Sequence, residues 1–315
     1  MSTLPASIVQ ALFRDACRFD VITFKPGNVS CEAAGHGMQA RDFLRSAAVS
    51  AGPIADPTLG VGERVRAAVQ ATRQTVGCNT NLGILLLAAP LARAAQSAVD
   101  SHGLRERVAR VLAALTVDDA CAAFEAICLA SPAGLGEAAE QDVHQRPTVT
   151  LREAMRLAAA QDQLAAQYVN DYAAVFELGL CGLQAHLADG ASIADAAQQI
   201  FLLFLCEIDD AHVLRKQGPT TAQWLRVAAR QVASEWRKCE NLSQRHDRLQ
   251  RFDSELKARG VNPGTSADLT VASLFALFLS VAQQPGFASL PARLACRPTS
   301  DFRQTSNEGE QTWPS

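Results

Sequence analysis

The sequence predicts an all-α fold, a single compact multi-helix domain built around buried central helices. Three observations carry that prediction. Of 315 residues, 48% are hydrophobic but only 6% aromatic, because alanine and leucine dominate. Such a balance suits helices better than sheets, whose strands draw on β-branched and aromatic residues. Apolar positions recur at helical spacing along nearly the whole chain. Two segments, Leu82–Ala92 and Leu269–Ala282, are apolar on every side, as expected of helices enclosed by other helices.

The elements follow in order. Ile8–Phe24 alternates apolar and charged positions and stops at Lys25-Pro26-Gly27, since proline and glycine both punctuate helices. A loop carries Asn28–Met38. Ala40–Ala51 and Gly62–Val76 read as amphipathic helices, the second ended by Gly77. Leu82–Val99, Leu104–Leu115 and Val117–Ala130 come next, and Asp118-Asp119 suits the positive end of the last. Residues 131–149 have no period and read as a long loop, a length that in compact domains is usually functional or disordered. Helices resume as Leu151–Leu187, Ser192–Lys216, Thr221–Cys239, Asn241–Arg259 and Ser266–Gln283. No internal repeat or linker divides the chain, so residues 1–296 are expected to form one helical domain and the polar stretch 297–315 a disordered tail.

Composition excludes several classes of function. A formal charge of −3 gives no broad basic surface for nucleic acid. The apolar runs, about 11 and about 14 residues long, fall short of the ~18 needed to span a membrane. The N-terminus lacks a basic start followed by an apolar signal core. The nine cysteines are scattered without a C-x-x-C pair, so neither a structural zinc site nor a disulfide framework is expected. A cytoplasmic protein acting on small molecules is the expectation, with its oligomeric state open.

Four polar, glycine-bearing clusters interrupt the helices. In "FKPGNVSCEAAGHGM" (24–38), Lys25 can meet a phosphate, Asn28 can hydrogen-bond, and Glu32 and His36 titrate; a helix-ending turn would look the same. In "GCNTNLG" (77–83), Asn79, Thr80 and Asn81 stand where exposed N–H groups at a helix start form an anion site, or where they simply cap it. In "CEIDDAHVLRKQG" (206–218), Asp209, His212 and Lys216 share a face on one helix, with Arg215 beside it and Asp210 next to it. Acidic residues followed by basic ones suit a metal–polyphosphate site, and equally a solvated helix end. In "RGVNPGTSADL" (259–269), Ser266 can cap the next helix and Asp268 occupies its first turn. Polar clusters at the ends of all-round apolar helices would meet at one end of the bundle, where ligand sites form. Lys25, Asn79, Asp210 and Asp268 are therefore expected to line one site.

These residues resemble the triphosphoribosyl-dephospho-CoA synthase family, which makes a prosthetic-group precursor for acyl carrier subunits of citrate and malonate lyase type. The matching pieces are "KPGNVS", "GCNTNLG", "DAHVLRKQG" and "FDSELKARGVNPGTSADL", in the family's order between residues 25 and 269. The resemblance implies an all-α transferase that joins the triphosphoribosyl group of ATP to 3′-dephospho-CoA with loss of adenine. Such chemistry needs cations and Mg²⁺ for the triphosphate, a carboxylate to take a hydroxyl proton, and negative charge near an oxocarbenium-like C1. On that implication Lys25, Asn28, Asn79, Thr80, Asn81, Arg215, Lys216 and Ser266 bind nucleotide, and Asp209, Asp210 and Asp268 bind magnesium. Glu32, Asp210 and His212 become the catalytic candidates. The chain departs from the family pattern in four ways: Asn81 and Leu82 replace histidine and lysine, Ser30 replaces aspartate, and "GHGM" lacks an aspartate. The alternatives are a related phosphoribosyl-type transferase of tetrahydromethanopterin-linked one-carbon metabolism and a non-catalytic helical binding protein.

Overall fold

A computed structural model describes residues 3–97, 103–132, 140–287 and 289. Among them the structure is helical throughout, with one isolated bridge between Gly35 and Met38. The expected tail 297–315 lies outside the described residues. Helices α1 (Ala6–Ile22), α2 (Ala40–Ala55), α3 (Val61–Val76), α4 (Leu82–Gln96), α5 (Leu104–Ala113) and α6 (Val117–Ala130) follow the expected order. Helix α2 runs one turn further than expected, through Pro53.

The expected single helix 151–187 is broken into α7 (Leu151–Ala158), α8 (Gln163–Val169), a π-helical segment Ala174–Leu180 and α9 (Cys181–Ala188). Asp162 causes one break by capping α8: its carboxylate accepts from Leu164 N at 2.8 Å and Ala165 N at 3.2 Å. Another break brings two tyrosines onto α4. Pro90 sits inside α4 and has no N–H for the Leu86 carbonyl. The Tyr168 hydroxyl donates to that carbonyl at 2.7 Å, and Tyr172 donates to Leu87 O at 3.0 Å. A buried helix with an internal proline is thereby satisfied from outside.

The chain continues through α10 (Ile193–Glu207), α11 (Ala211–Lys238), α12 (Leu242–Ala258) and α13 (Gly264–Ala282). The expected helix 192–216 therefore ends early, and residues 208–210 form the break. The pause expected at Gly218-Pro219 survives as a kink inside α11, where Gly218 has φ 82° and ψ 174°.

As expected, the two all-round apolar runs form the centre. Every residue of Leu82–Ala92 is buried except Gly83, and every residue of Leu269–Ala282 except Ser280 and Val281. Helix α13 has the length and composition to cross a membrane, yet 83% of its apolar window is buried within the fold. Two hydrophobic clusters surround this centre. One joins α1–α9 to α4 and α13; the other joins α11 and α12 to one face of α10, with Phe24 and Ala267 at its edge. The N-terminus of α13 lies at the seam between them, and the polar clusters gather there.

Candidate active site

The turn Asn262-Pro263-Gly264 opens α13 and makes the first contacts. Gly27, with φ +80°, lies so close that a β-carbon would sit 2.8 Å from Pro263 Cδ and 2.9 Å from Leu256 Cδ1. Only glycine combines that dihedral with that approach. Its N–H donates to Asp253 Oδ1 on α12 at 2.8 Å, and Asn28 Nδ2 donates to Asn262 Oδ1 at 3.1 Å. The first and fourth clusters are thus one structure.

Asp210 ties the third cluster to the same place. One carboxylate oxygen accepts from His212 N (3.0 Å) and Val213 N (3.2 Å), capping α11. The other accepts from Ser266 N (2.8 Å) and Ser266 Oγ (2.9 Å) at the start of α13. Asp210 is 1% exposed, and burial raises its proton affinity against the pull of hydrogen bonds from Ser266, Val213 and Thr265. All of its accepting capacity is committed to two helix starts.

Asp268 behaves otherwise. It makes no capping bond to α13, and its Oδ2 lies so close to Gly83, in the first turn of α4, that a β-carbon there would collide with it. This joins the second cluster to the fourth. Burial and the charges of Asp20, Asp210 and Asp162, opposed by Arg215, push its carboxyl well above the usual carboxylate range. Asp20 and Asp162 stand outside the clusters expected from sequence. Asp20 lies near the end of α1 between Phe19 and Val21, and a lone acid in that apolar stretch was its one visible signal. Asp162 is an N-cap whose second oxygen meets Arg215 Nη1 at 2.5 Å.

The remaining expected residues fall as follows. Lys25 is buried, its ammonium 3.0 Å from Asp20 Oδ1 and bonded to the carbonyls of Asp20 and Thr23. It ties down the end of α1 rather than standing open to a phosphate. Glu32, expected as a base, is exposed and 3.5 Å from His246 on α12. Asp209 lies in the break before α11, not on a shared helical face, and pairs with Arg226 at 3.3 Å. With Asp210 capped and Asp209 turned away, the three expected magnesium ligands do not assemble, and among the described residues no group of three or more His, Cys, Asp or Glu could hold a metal ion. Asn79 Oδ1 accepts from Leu82 N at 3.1 Å, an ordinary cap. Arg215 is half-buried and Lys216 exposed. His212 is mostly buried, and desolvation, Lys216, Arg215 and His36 lower its pKa to about 4, so it is neutral at pH 7. A shallow hollow lined by Ala6, Gln10, Pro53, Asp56 and Ala67 lies at the opposite end of α1 from Asp20.

Residues 6–286 match the CitG family model, described as ATP:dephospho-CoA triphosphoribosyl transferase. The chain belongs to the ATP:dephospho-CoA triphosphoribosyl transferase family. It is accordingly a transferase of triphosphoribosyl groups, and neither the one-carbon alternative nor the non-catalytic one is favoured. A crystal structure from Archaeoglobus fulgidus, provisionally assigned as a triphosphoribosyl-dephospho-CoA synthase, has the same fold at a TM-score of 0.58. The two share 23% identity, over 75% of this chain and 98% of that one. No curated protein matches the chain.

Proposed function

We propose that Mg²⁺-ATP and 3′-dephospho-CoA meet at the seam, and that the four polar clusters are parts of one transferase site. The observation that carries this is the set of ties converging on the first turn of α13: Gly27 on Pro263, Asn28 on Asn262, Asp210 on Ser266, and Asp268 on Gly83. Four segments that are remote in sequence supply buried polar groups to one place, as a two-substrate site requires.

In the proposed reaction the acceptor 2′-hydroxyl oxygen forms a bond to C1 of the ATP ribose. The C1–N9 bond breaks, its electron pair leaves with adenine, and adenine takes up a proton. The acceptor hydroxyl loses its own proton to a carboxylate. Asp268 suits that role better than Glu32, because neighbouring acids and burial raise its affinity for a proton. The same negative surroundings favour the positive charge that develops at C1. In this reading Arg215, which also pairs with Asp162, and the exposed Lys216 meet the triphosphate. Magnesium enters as part of the nucleotide, held by phosphate oxygens and water as is usual for this ion, since Asp209, Asp210 and Asp268 form no cage for it. A cytoplasmic setting fits small-molecule substrates of this kind.

The test is release of adenine from ATP and Mg²⁺, followed chromatographically with and without 3′-dephospho-CoA. Adenine should appear only with the acceptor and match the acceptor consumed. No adenine in either arm would overturn the reading.

A further inference from the structure

The hydrogen-bond polarity of the turn before α4 bears on what it binds. Ser46 and Ser50, on the inner face of α2, are both fully buried. Ser46 Oγ has a single proton, and it goes to the Asp42 carbonyl one turn back at 2.7 Å. Its 2.5 Å contact with Thr80 Oγ1 therefore has Thr80 as the donor. The Thr80 proton is committed inward, and its oxygen offers lone pairs only.

Ser50 repeats the device. Its proton goes to the Ser46 carbonyl at 2.7 Å, so its oxygen can only accept, and it accepts from Asn81 Nδ2 at 3.4 Å. That fixes which way the amide faces. Asn81 is 5% exposed, and among the described residues no group donates to its Oδ1. Across from this turn, on a different helix, stands the Asp268 carboxylate against Gly83, again an acceptor. The sequence had suggested an anion site here. Two acceptors beside a carboxylate repel phosphate oxygens and attract O–H donors, and carboxylates accepting from sugar hydroxyls are an established way to hold ribose.

We propose that Thr80 and Asn81, oriented by Ser46 and Ser50, read the hydroxyls of a ribose rather than the triphosphate. The inference rests on the nucleotide site proposed above and names a subsite within it. Both substrates carry a ribose, so the ligand chemistry is shared and the experiment assigns its source.

Calorimetry would compare wild type with Thr80→Val and Ser46→Ala, using ATP, 2′-deoxy-ATP, 3′-deoxy-ATP, inorganic tripolyphosphate and 3′-dephospho-CoA. Thr80→Val keeps shape but removes the acceptor. It should weaken ATP or 3′-dephospho-CoA about tenfold, the loss expected for one hydrogen bond of about 1.4 kcal/mol, and leave tripolyphosphate unchanged. When the affected ligand is ATP, one deoxy analogue should bind variant and wild type alike, identifying the hydroxyl read. Ser46→Ala, which frees the Thr80 proton to point outward, should shrink the same preference; Ser46→Cys, a weaker partner in the same place, should restore part of it. Thermal melts show whether each variant is folded. Tripolyphosphate weakened by Thr80→Val, or ATP and both deoxy analogues weakened equally with 3′-dephospho-CoA unaffected, would overturn the inference. Failure of wild type to bind any nucleotide would instead remove the reading beneath it.

Discussion

Asp210 and Asp268 show how the same residue type serves opposite ends. Asp210 closes four hydrogen bonds between two helix starts, so Asp210→Ala leaves buried donors unpaired. It should destabilise the protein by roughly 2 kcal/mol or more in urea titrations. Asp268 has no such bonds, and its charge faces Asp20 from α1, Asp162 from the turn before α8 and Asp210 from the break before α11, against Arg215 alone. A carboxyl whose folded pKa is raised destabilises the fold wherever it is ionised. Asp268→Asn should therefore raise the melting temperature at pH 8 by about 2–4 °C, the shift that ~1 kcal/mol gives in a chain of this size. Its partial exposure keeps the gain modest. That gain should shrink on acidification and vanish only below the ordinary carboxyl value of 3.8, where the wild-type carboxyl is protonated in both states, while adenine release falls at every pH. A melting temperature lowered by the substitution would show Asp268 to be a structural acid after all. His212 runs the other way in pH. Its pKa falls to about 4 from an ordinary 6.5, so its contribution is complete above pH 6.5 and is lost as pH falls towards 4. His212→Gln should flatten that part of the acid-denaturation curve.

Helix starts do the positioning at the next scale. The loop after α1, the turn before α4, the break before α11 and the turn before α13 are each held by another element's side chain. Glycines allow the closest of these approaches. Gly27→Ala adds a β-carbon within 3 Å of Pro263 and Leu256 at a backbone angle that alanine resists. A loss of roughly 1–3 kcal/mol follows, from the strained dihedral and the overpacking together. Gly83→Ala is the more selective change. The new methyl meets the Asp268 carboxylate and Leu164 Cδ1 (2.9 Å), so the acid must swing aside. Expected is at least a tenfold fall in kcat, since misplacement by about 1 Å is known to reduce rates that much, with far-UV circular dichroism unchanged.

For the whole molecule, α10 is the wall shared by the two hydrophobic clusters: Ile200 and Phe204 face the first, Phe201, Leu202 and Leu205 the second. Neither cluster can melt without exposing apolar surface of the other. Unfolding should accordingly be one cooperative event. Trp224 and Trp236 both lie on α11 against the second cluster, so their fluorescence, read in a Trp313→Phe background, reports that cluster alone. Its midpoint should coincide with that of far-UV circular dichroism, and Mg²⁺-ATP should raise both together by mass action. Two separated midpoints would show that the seam is weaker than the clusters it joins.

The sequence by itself determined the helical class, the two central helices and the placing of the polar clusters at helix starts. Each depends on local hydrophobic period or on where an apolar helix starts, and both are written in consecutive residues. The tertiary structure alone decided what the polar residues do there. Asp268, read from its place in a first turn, looked like a stabilising acid or, with Asp210, a magnesium ligand; Asp210 turned out to be the cap, while Asp268 stands without one. The reason is that a side chain's charge and hydrogen-bonding state depend on what surrounds it in space. The neighbours of Asp268 come from residues 20, 83, 162, 210 and 215, and no periodicity in the chain relates those positions to 268.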